Sequence, residues 1–431
     1  MTKIKYLSNL EILDSRGNPT VMATIHLDNG QTAVACVPSG ASTGVHEALE
    51  LRDQDPKRYH GLGVTKALNQ INEIIAPALI NQDVRDQRKI DQIMLDLDGT
   101  ADKSHLGANA ILAVSLAACK AAALSENLPL YRYIAQLFNR ANEPMTLPVP
   151  MMNVLNGGKH AVNASDMQEY MIMPHGLNNF PAIIQAGSEI FHTLGKILKK
   201  QNFATTVGDE GGYAPSLASN QAPLDLMIEA ITQANYQPGK EVSIALDPAA
   251  SEFFDSQSSI YDLKAENRRL NAIEMVKMYH EWAEKYPLVS LEDGLAEDDW
   301  EGWHLLQQTL GQKIQIVGDD LLVTNIKRLQ MAIEKQACNS ILIKVNQIGT
   351  LSETMAAIEL AHAHHYTAVI SHRSGETEDT FIADLAVGSG AGQIKTGSMS
   401  RSERIVKYNR LLQINQELGD RALVYQLPWI K

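Results

Sequence analysis

The 431-residue sequence predicts an α/β protein in which a (β/α)8, TIM-like barrel follows a smaller α+β domain. Three observations carry this expectation. Beyond Val242, short apolar strands alternate with amphipathic helices: VSIALD, LVSLED, IQIVGDD, SILIKVN, TAVISHR and GQIKTG are separated by stretches such as AIEMVKMYHEWAEKY and TLSETMAAIELAHAHH. The strands are continuous Val, Ile and Leu runs, as expected where helices cover both faces of a parallel sheet. Each ends in a charged or imidazole side chain: Asp247, Glu292, Asp319, Lys344, His372 and Lys395. From Glu292 onward the intervals are 27, 25, 28 and 23 residues, one βα unit each. In a closed barrel all carboxyl ends of strands share one face, so these residues converge on one cavity. An open doubly wound sheet would gather such groups only around a switch point.

The elements before the barrel follow another pattern. Residues 4–13 and 21–27 alternate apolar and polar side chains, and LDNGQ before residues 31–37 carries an Asn-Gly hairpin signal. The period then becomes helical in GVTKALNQINEIIAPAL, DQRKIDQIMLDLDG and the alanine-rich GANAILAVSLAACKAAALSENL. Strands followed by helices indicate an α+β unit. The segment NRANEPMTLPVPMM, with three prolines, marks the boundary, giving domains at 1–141 and 142–431.

Lys plus Arg number 37 and Asp plus Glu 50, a net charge of −13 that repels nucleic acid phosphates and anionic membranes. An anionic ligand therefore needs a local pocket of cations or metal. Cys36, Cys119 and Cys338 are odd in number and without paired spacing, which indicates neither disulfides nor a zinc site and fits a reducing cytoplasm. The amino terminus reads as a strand rather than a signal peptide. The most apolar run, residues 108–119, is interrupted by Lys120 and is too short to cross a bilayer. No nucleic acid substrate and no membrane span are expected.

Asp247, Glu292 and Asp319 are oxygen donors suited to a hard cation such as Mg²⁺. Any one of them alone reads best as a helix cap. Three at equivalent strand ends read as metal ligands, because gathering them is repulsive unless a cation neutralises them. Lys344 and Lys395 project into the same mouth. Beside a divalent metal and a second lysine, one ammonium has its pKa lowered and acts as a base, while the other pairs with an anion. GDEGG surrounds Asp209 and Glu210 with glycines, and DMQEYMIMP puts Glu169 in an alternating strand. The two glutamates are candidates for proton transfer to a leaving group, against a plain turn and an exposed strand residue. The loops SGASTG, with Ser42, and NGGKHA, with His160, decide nothing in isolation.

Taken together, PSGASTGVHEALELRD, NGGKHA, DMQEYMIMP, VGDEGGYAP, ALDPAASEF, LEDGLAEDDW, VGDDLLVTN, KVNQIGT, SHRSGETEDT and IKTGSMSRSER resemble the enolase family, in the same order from the amino terminus to beyond Arg404. The resemblance implies a lid-like α+β domain, a modified (β/α)8 barrel and reversible dehydration of 2-phosphoglycerate to phosphoenolpyruvate in glycolysis and gluconeogenesis, with two Mg²⁺. Lys344 resembles the general base and Glu210 with Glu169 the acid pair. Asp247, Glu292 and Asp319 resemble the ligands of the tighter Mg²⁺, and Ser42 reaches the second. Arg373 and Ser374 would hold the phosphate and Lys395 the carboxylate, with His160 and His372 closing around the substrate. HAVN where HADN is usual, LEDGL and SMSRSER depart from the commonest pattern; Val162 bears only on how its loop closes.

The resemblance further implies a homodimer or homo-octamer, a cytoplasmic location with a secondary cell-surface one, and secondary plasminogen or RNA-degradation partners. Two alternatives stand beside it. An acid-sugar dehydratase or racemase would need no phosphate clamp, and a non-catalytic scaffold would need none of the charged groups.

Overall fold

The computed structural model describes residues 2–40, 46–158 and 165–430. Its amino-terminal part is an antiparallel meander of β1 (Ile4–Leu13), β2 (Pro19–Leu27) and β3 (Thr32–Cys36). The hairpin signal is realised as a three-residue loop. Gly30 takes a φ of +87°, and the Leu27 amide closes the loop on the Gln31 carbonyl.

Alternation buries Val21, Ala23, Ile25 and Leu27 of β2, and the helix Ala108–Ser125 packs across β2 and β3. Alanine is good at this position because a short side chain lets helix and sheet approach closely. By length and composition this helix could cross a membrane, with mean hydropathy 1.6, yet 83% of it is buried inside the fold. The helix runs past Lys120 to Ser125, as the helical period of GANAILAVSLAACKAAALSENL predicts, and is longer than the uninterrupted apolar run 108–119. The Lys120 ammonium reaches outward to both Asp379 oxygens at 2.7 Å and to the Val34 carbonyl.

The second part is a closed eight-stranded barrel in sequence order: β4 (Val149–Asn156), β5 (Glu169–Pro174), β6 (Val242–Asp247), β7 (Leu288–Glu292), β8 (Gln315–Gly318), β9 (Ser340–Ile343), β10 (Thr367–Ser371) and β11 (Gly392–Lys395), which returns to β4. All neighbours are parallel except those of β5, which runs antiparallel to both β4 and β6. A parallel strand after β4 would need a crossover connection, and the twelve residues between Asn156 and Glu169 stand at its lower limit. Gly157 makes the return tight: a Cβ there would lie 2.3 Å from the Met167 carbonyl oxygen and the Ser165 Oγ.

This direction corrects the expectation that only carboxyl ends of strands meet at the mouth. Glu169 is the first residue of β5 and pairs in register with Asn156 and Asp247. It also corrects the alternating pattern expected there, since all six residues of β5 are buried. Strand β5 lies between β4 and β6 under covering helices, so neither face meets water.

The far end of the barrel is filled by Val149, Met151, Met171 and Met173, with Leu427 and Trp429 of the carboxyl terminus packed beneath. The amino-terminal part sits on the mouth. Ser39 and Gly375 exchange backbone hydrogen bonds of 2.7 and 2.9 Å, and the Ser15 amide donates to the Glu376 carbonyl.

One close contact is testable through stability. Helix Phe381–Ser389 crosses helix Leu130–Leu137, and a Cβ on Gly388 would lie 2.6 Å from the Tyr131 carbonyl oxygen and 2.7 Å from Ile134 Cβ. Gly388→Val is expected to cost roughly 1–3 kcal/mol by forcing the helices apart. A lower unfolding midpoint in urea checks it.

Candidate active site

The strand ends converge as the sequence predicts. Asp247, Glu292, Lys344, His372 and Lys395 end or directly follow β6, β7, β9, β10 and β11, and Asp319 follows β8. With Glu169, Glu210, Arg373 and Ser374 they surround one cleft at the mouth. Ser42, His160 and Val162 lie outside the described residues.

Lys395, almost fully buried, stands among the carboxylates. Its Nζ is 2.9 Å from Asp247 Oδ2, 2.8 Å from Glu292 Oε1 and 3.2 Å from Glu169 Oε1. The sequence alternative of a lysine reaching to solvent is excluded here. Burial opposes its charge, but the three carboxylates outweigh burial and hold the ammonium well above its ordinary pKa. Burial pushes Glu169 and Glu292 well up, and a neighbouring carboxylate adds to it, Glu210 for the first and Asp247 for the second.

Lys344 is paired with Asp319 Oδ2, whose Oδ1 accepts from Gln347 Nε2 at 2.9 Å. Burial would lower the Lys344 pKa, yet Asp319 beside it raises it. The lowered pKa expected from sequence supposes a divalent cation and a second lysine nearby; among the protein's own groups the nearest charge to Lys344 is the Asp319 anion, which raises it. Burial opposes ionisation of Asp319 as well, and Lys344 nonetheless holds that carboxyl below its usual range.

On the other side, Glu210 Oε2 accepts from Asn153 Nδ2 at 3.1 Å and faces His372 Nε2 at 3.4 Å. Glu210 is therefore no exposed turn residue; its loop folds the side chain into the cleft. Arg373 is gripped by Glu47, at 2.9 Å from Nη1 and 3.2 Å from Nη2, and Nη1 also donates to Asn346 Oδ1 at 3.0 Å. Burial opposes its charge, but Glu47 raises the guanidinium pKa.

Residues 41 to 45 aside, reasoning from sequence missed Glu47, Asn153, Asp293, Asp320 and Arg404. Asp293 and Asp320 were adjacent to strand-end carboxylates in LED and GDD, which is signal enough. One oxygen each from Asp293, Asp319 and Asp320 lies within 4.8 Å of the others, a spacing that could hold a cation. However, both Asp293 oxygens already accept backbone N–H groups, from Asp319 at 2.9 Å and Asp320 at 2.8 Å. We read Asp293 as the brace of that loop. Asp320 is pushed up to about 7 by burial and by Asp319.

The donor set fits a hard divalent cation. Glu169 Oε2 and Glu292 Oε2 are buried with no hydrogen-bond partner among the described residues. Lys395 offsets only part of the negative charge, and every donor is a carboxylate oxygen, the ligand type such ions take. Glu292, between Asp247 and Asp319 in the carboxylate arc, carries the orphaned oxygen that a cation would meet, and a buried oxygen left bare there is costly.

Comparison with known families decides the assignment. Residues 144–426 match "Enolase, C-terminal TIM barrel domain" and residues 4–134 match "Enolase, N-terminal domain". The chain belongs to the enolase family. Its barrel is thus the enolase barrel, and its chemistry is of the enolase type, a lyase dehydration. The enolase family typically binds Mg²⁺, and the carboxylates gathered at this mouth are ligands of the kind it takes.

Proposed function

We propose that the protein interconverts 2-phosphoglycerate and phosphoenolpyruvate. One observation carries the reading. Counted around the closed ring, β5 and β9 are four strands apart in eight, so Glu169 and Lys344 stand on opposite sides of the mouth. Asp247, Glu292 and Asp319 come from the three strands between them. A proton acceptor and a proton donor facing across a carboxylate arc suit removal of a proton and a hydroxyl from opposite faces of one substrate.

Asp247, Glu292 and Asp319 would hold one Mg²⁺, and Ser42 is the expected contact of a second; such ions supply positive charge for the carboxylate oxygens as negative charge develops on them. Lys344 takes the C2 proton when the charge of Asp319 is committed elsewhere. The C2–H electron pair first moves onto the substrate carboxylate oxygens, and in a second step it returns to form the C2=C3 bond as the C3–O bond breaks. Glu210 gives its proton to the departing hydroxyl, which leaves as water, and Glu169 beside it keeps a proton within reach. Lys395 binds the carboxylate end. Arg373 and Ser374 bind the phosphate, with Arg373 set in place by Glu47 and Asn346. His372 lines the cleft, and His160, outside the described residues, would close around the substrate with it.

The test is the ultraviolet absorbance of phosphoenolpyruvate. It should rise on adding 2-phosphoglycerate with Mg²⁺ and stay flat with a chelator. Preferred turnover of an unphosphorylated acid would replace this reading with the acid-sugar dehydratase. Binding is also visible in stability: Mg²⁺ at about 100 times its Kd should add about 2.7 kcal/mol to unfolding. An unchanged melting temperature on titrating Mg²⁺ would contradict the ligand set.

A further inference from the structure

Arg404 belongs to helix Ser402–Leu418 and has no solvent exposure. Its nearest recorded acid is Glu403, 3.5 Å from Nε. Its terminal nitrogens face other groups. Nη1 lies 2.7 Å from His372 Nδ1 and 2.6 Å from the Arg373 carbonyl oxygen, and Nη2 lies 3.0 Å from the Asp209 and 2.6 Å from the Ser374 carbonyl oxygens.

A guanidinium has five N–H donors and no acceptor. Where it meets a ring nitrogen, that nitrogen must offer a lone pair, so His372 Nδ1 carries no hydrogen. The neutral ring then has its hydrogen on Nε2, the nitrogen that faces Glu210 Oε2 at 3.4 Å. Nε2 finds no better partner among the described residues, although His372 is only 2% exposed. His372 lines the cleft, where a buried donor of this kind can meet a ligand.

We propose that Arg404 is a positioning residue that locks His372 in the neutral tautomer with hydrogen on Nε2, making the imidazole a hydrogen-bond donor beside Glu210 and never a base. The surrounding charges agree. Burial pushes His372 down to about 4; Arg404 pushes the same way, while Glu210 and Glu376 pull upward and lose. The same guanidinium ties the Asp209 carbonyl to the Arg373 and Ser374 carbonyls. One side chain thus holds the Glu210 loop and the His372–Ser374 loop in mutual register. The donor's use on a departing hydroxyl rests on the proposed function; the tautomer does not.

Nitrogen-15 spectra of the full chain labelled at histidine test it, with His372 assigned by comparison with His372→Gln. The parent protein should show a pyridine-type Nδ1 and a pyrrole-type Nε2 from about pH 8 down to about pH 5. In Arg404→Met the tautomer preference should be lost and the ring should titrate closer to the ordinary value of about 6.5. The acid limb of kcat/KM should move toward neutrality with it. Hydrogen on Nδ1 in the parent protein overturns the proposal, as do identical His372 spectra in parent and Arg404→Met. Should Arg404→Met not fold, the parent protein still decides through a nitrogen–nitrogen coupling across the hydrogen bond between the Arg404 guanidinium and His372 Nδ1, whose absence overturns the proposal. Correct spectra without turnover of 2-phosphoglycerate would leave the tautomer standing and reject the assigned reaction.

Discussion

Lys344→Ala is expected to lose phosphoenolpyruvate formation by roughly 100- to 10,000-fold, the contribution of a positioned proton acceptor. Its amine is the only one on its side of the mouth among the described residues, since Lys395 is committed to Asp247, Glu292 and Glu169. Loss of rate alone could come from misplacement of Asp319, so a second readout separates the roles. In D2O, exchange of deuterium into C2 of the substrate should vanish in Lys344→Ala. It should persist in Glu210→Gln, where the proton is still removed but the hydroxyl lacks its donor. Exchange and elimination at the parent rates in Lys344→Ala would reject Lys344 as the base.

Lys395→Met should be the most destabilising single change at the mouth, on the order of 3–5 kcal/mol, because it leaves buried carboxylates without their cation. The loss depends on pH in a direction that can be worked out. Glu169 and Glu292 have folded pKa values raised above the ordinary range, mainly by burial. Such a carboxyl binds its proton more tightly when folded. The stability it lends is complete below the unfolded pKa of about 4.3 and fades as pH climbs through the folded value. Removing Lys395 raises those folded values further and steepens the fade. Lys395 itself is held above its ordinary pKa, so its own contribution is constant until far into alkali. The urea midpoints of parent and variant should therefore be closest near about pH 4 and diverge toward about pH 8. A pH-independent gap would show that Lys395 does not neutralise these groups.

Much of this site could be read along the chain. The βα repeat is a local pattern: apolar strands of a buried parallel sheet and amphipathic helices announce themselves by period, and the strand-end position of Asp247, Glu292, Asp319, Lys344, His372 and Lys395 follows from counting. Closure of the ring then brings them together regardless of sequence distance. The motif resemblance assigned roles to Glu210, Glu169, Arg373 and Ser374 that periodicity alone left open, and both family matches agree with it at the level of the family.

Other features are invisible in the linear pattern because they depend on which groups face each other. Strand direction is one: nothing in EYMIMP says that β5 runs backwards, and that reversal puts Glu169 at its amino end beside Asp247. Charge environment is another. The ammonium of Lys344 is held up by Asp319, 25 residues earlier. Arg404 meets His372 across 32 residues. Period and composition report how a residue relates to its neighbours along the chain, and so they determine elements and their ends. Protonation and tautomer are set by the nearest charges in space, which only the closed barrel brings within 3 Å or so of one another.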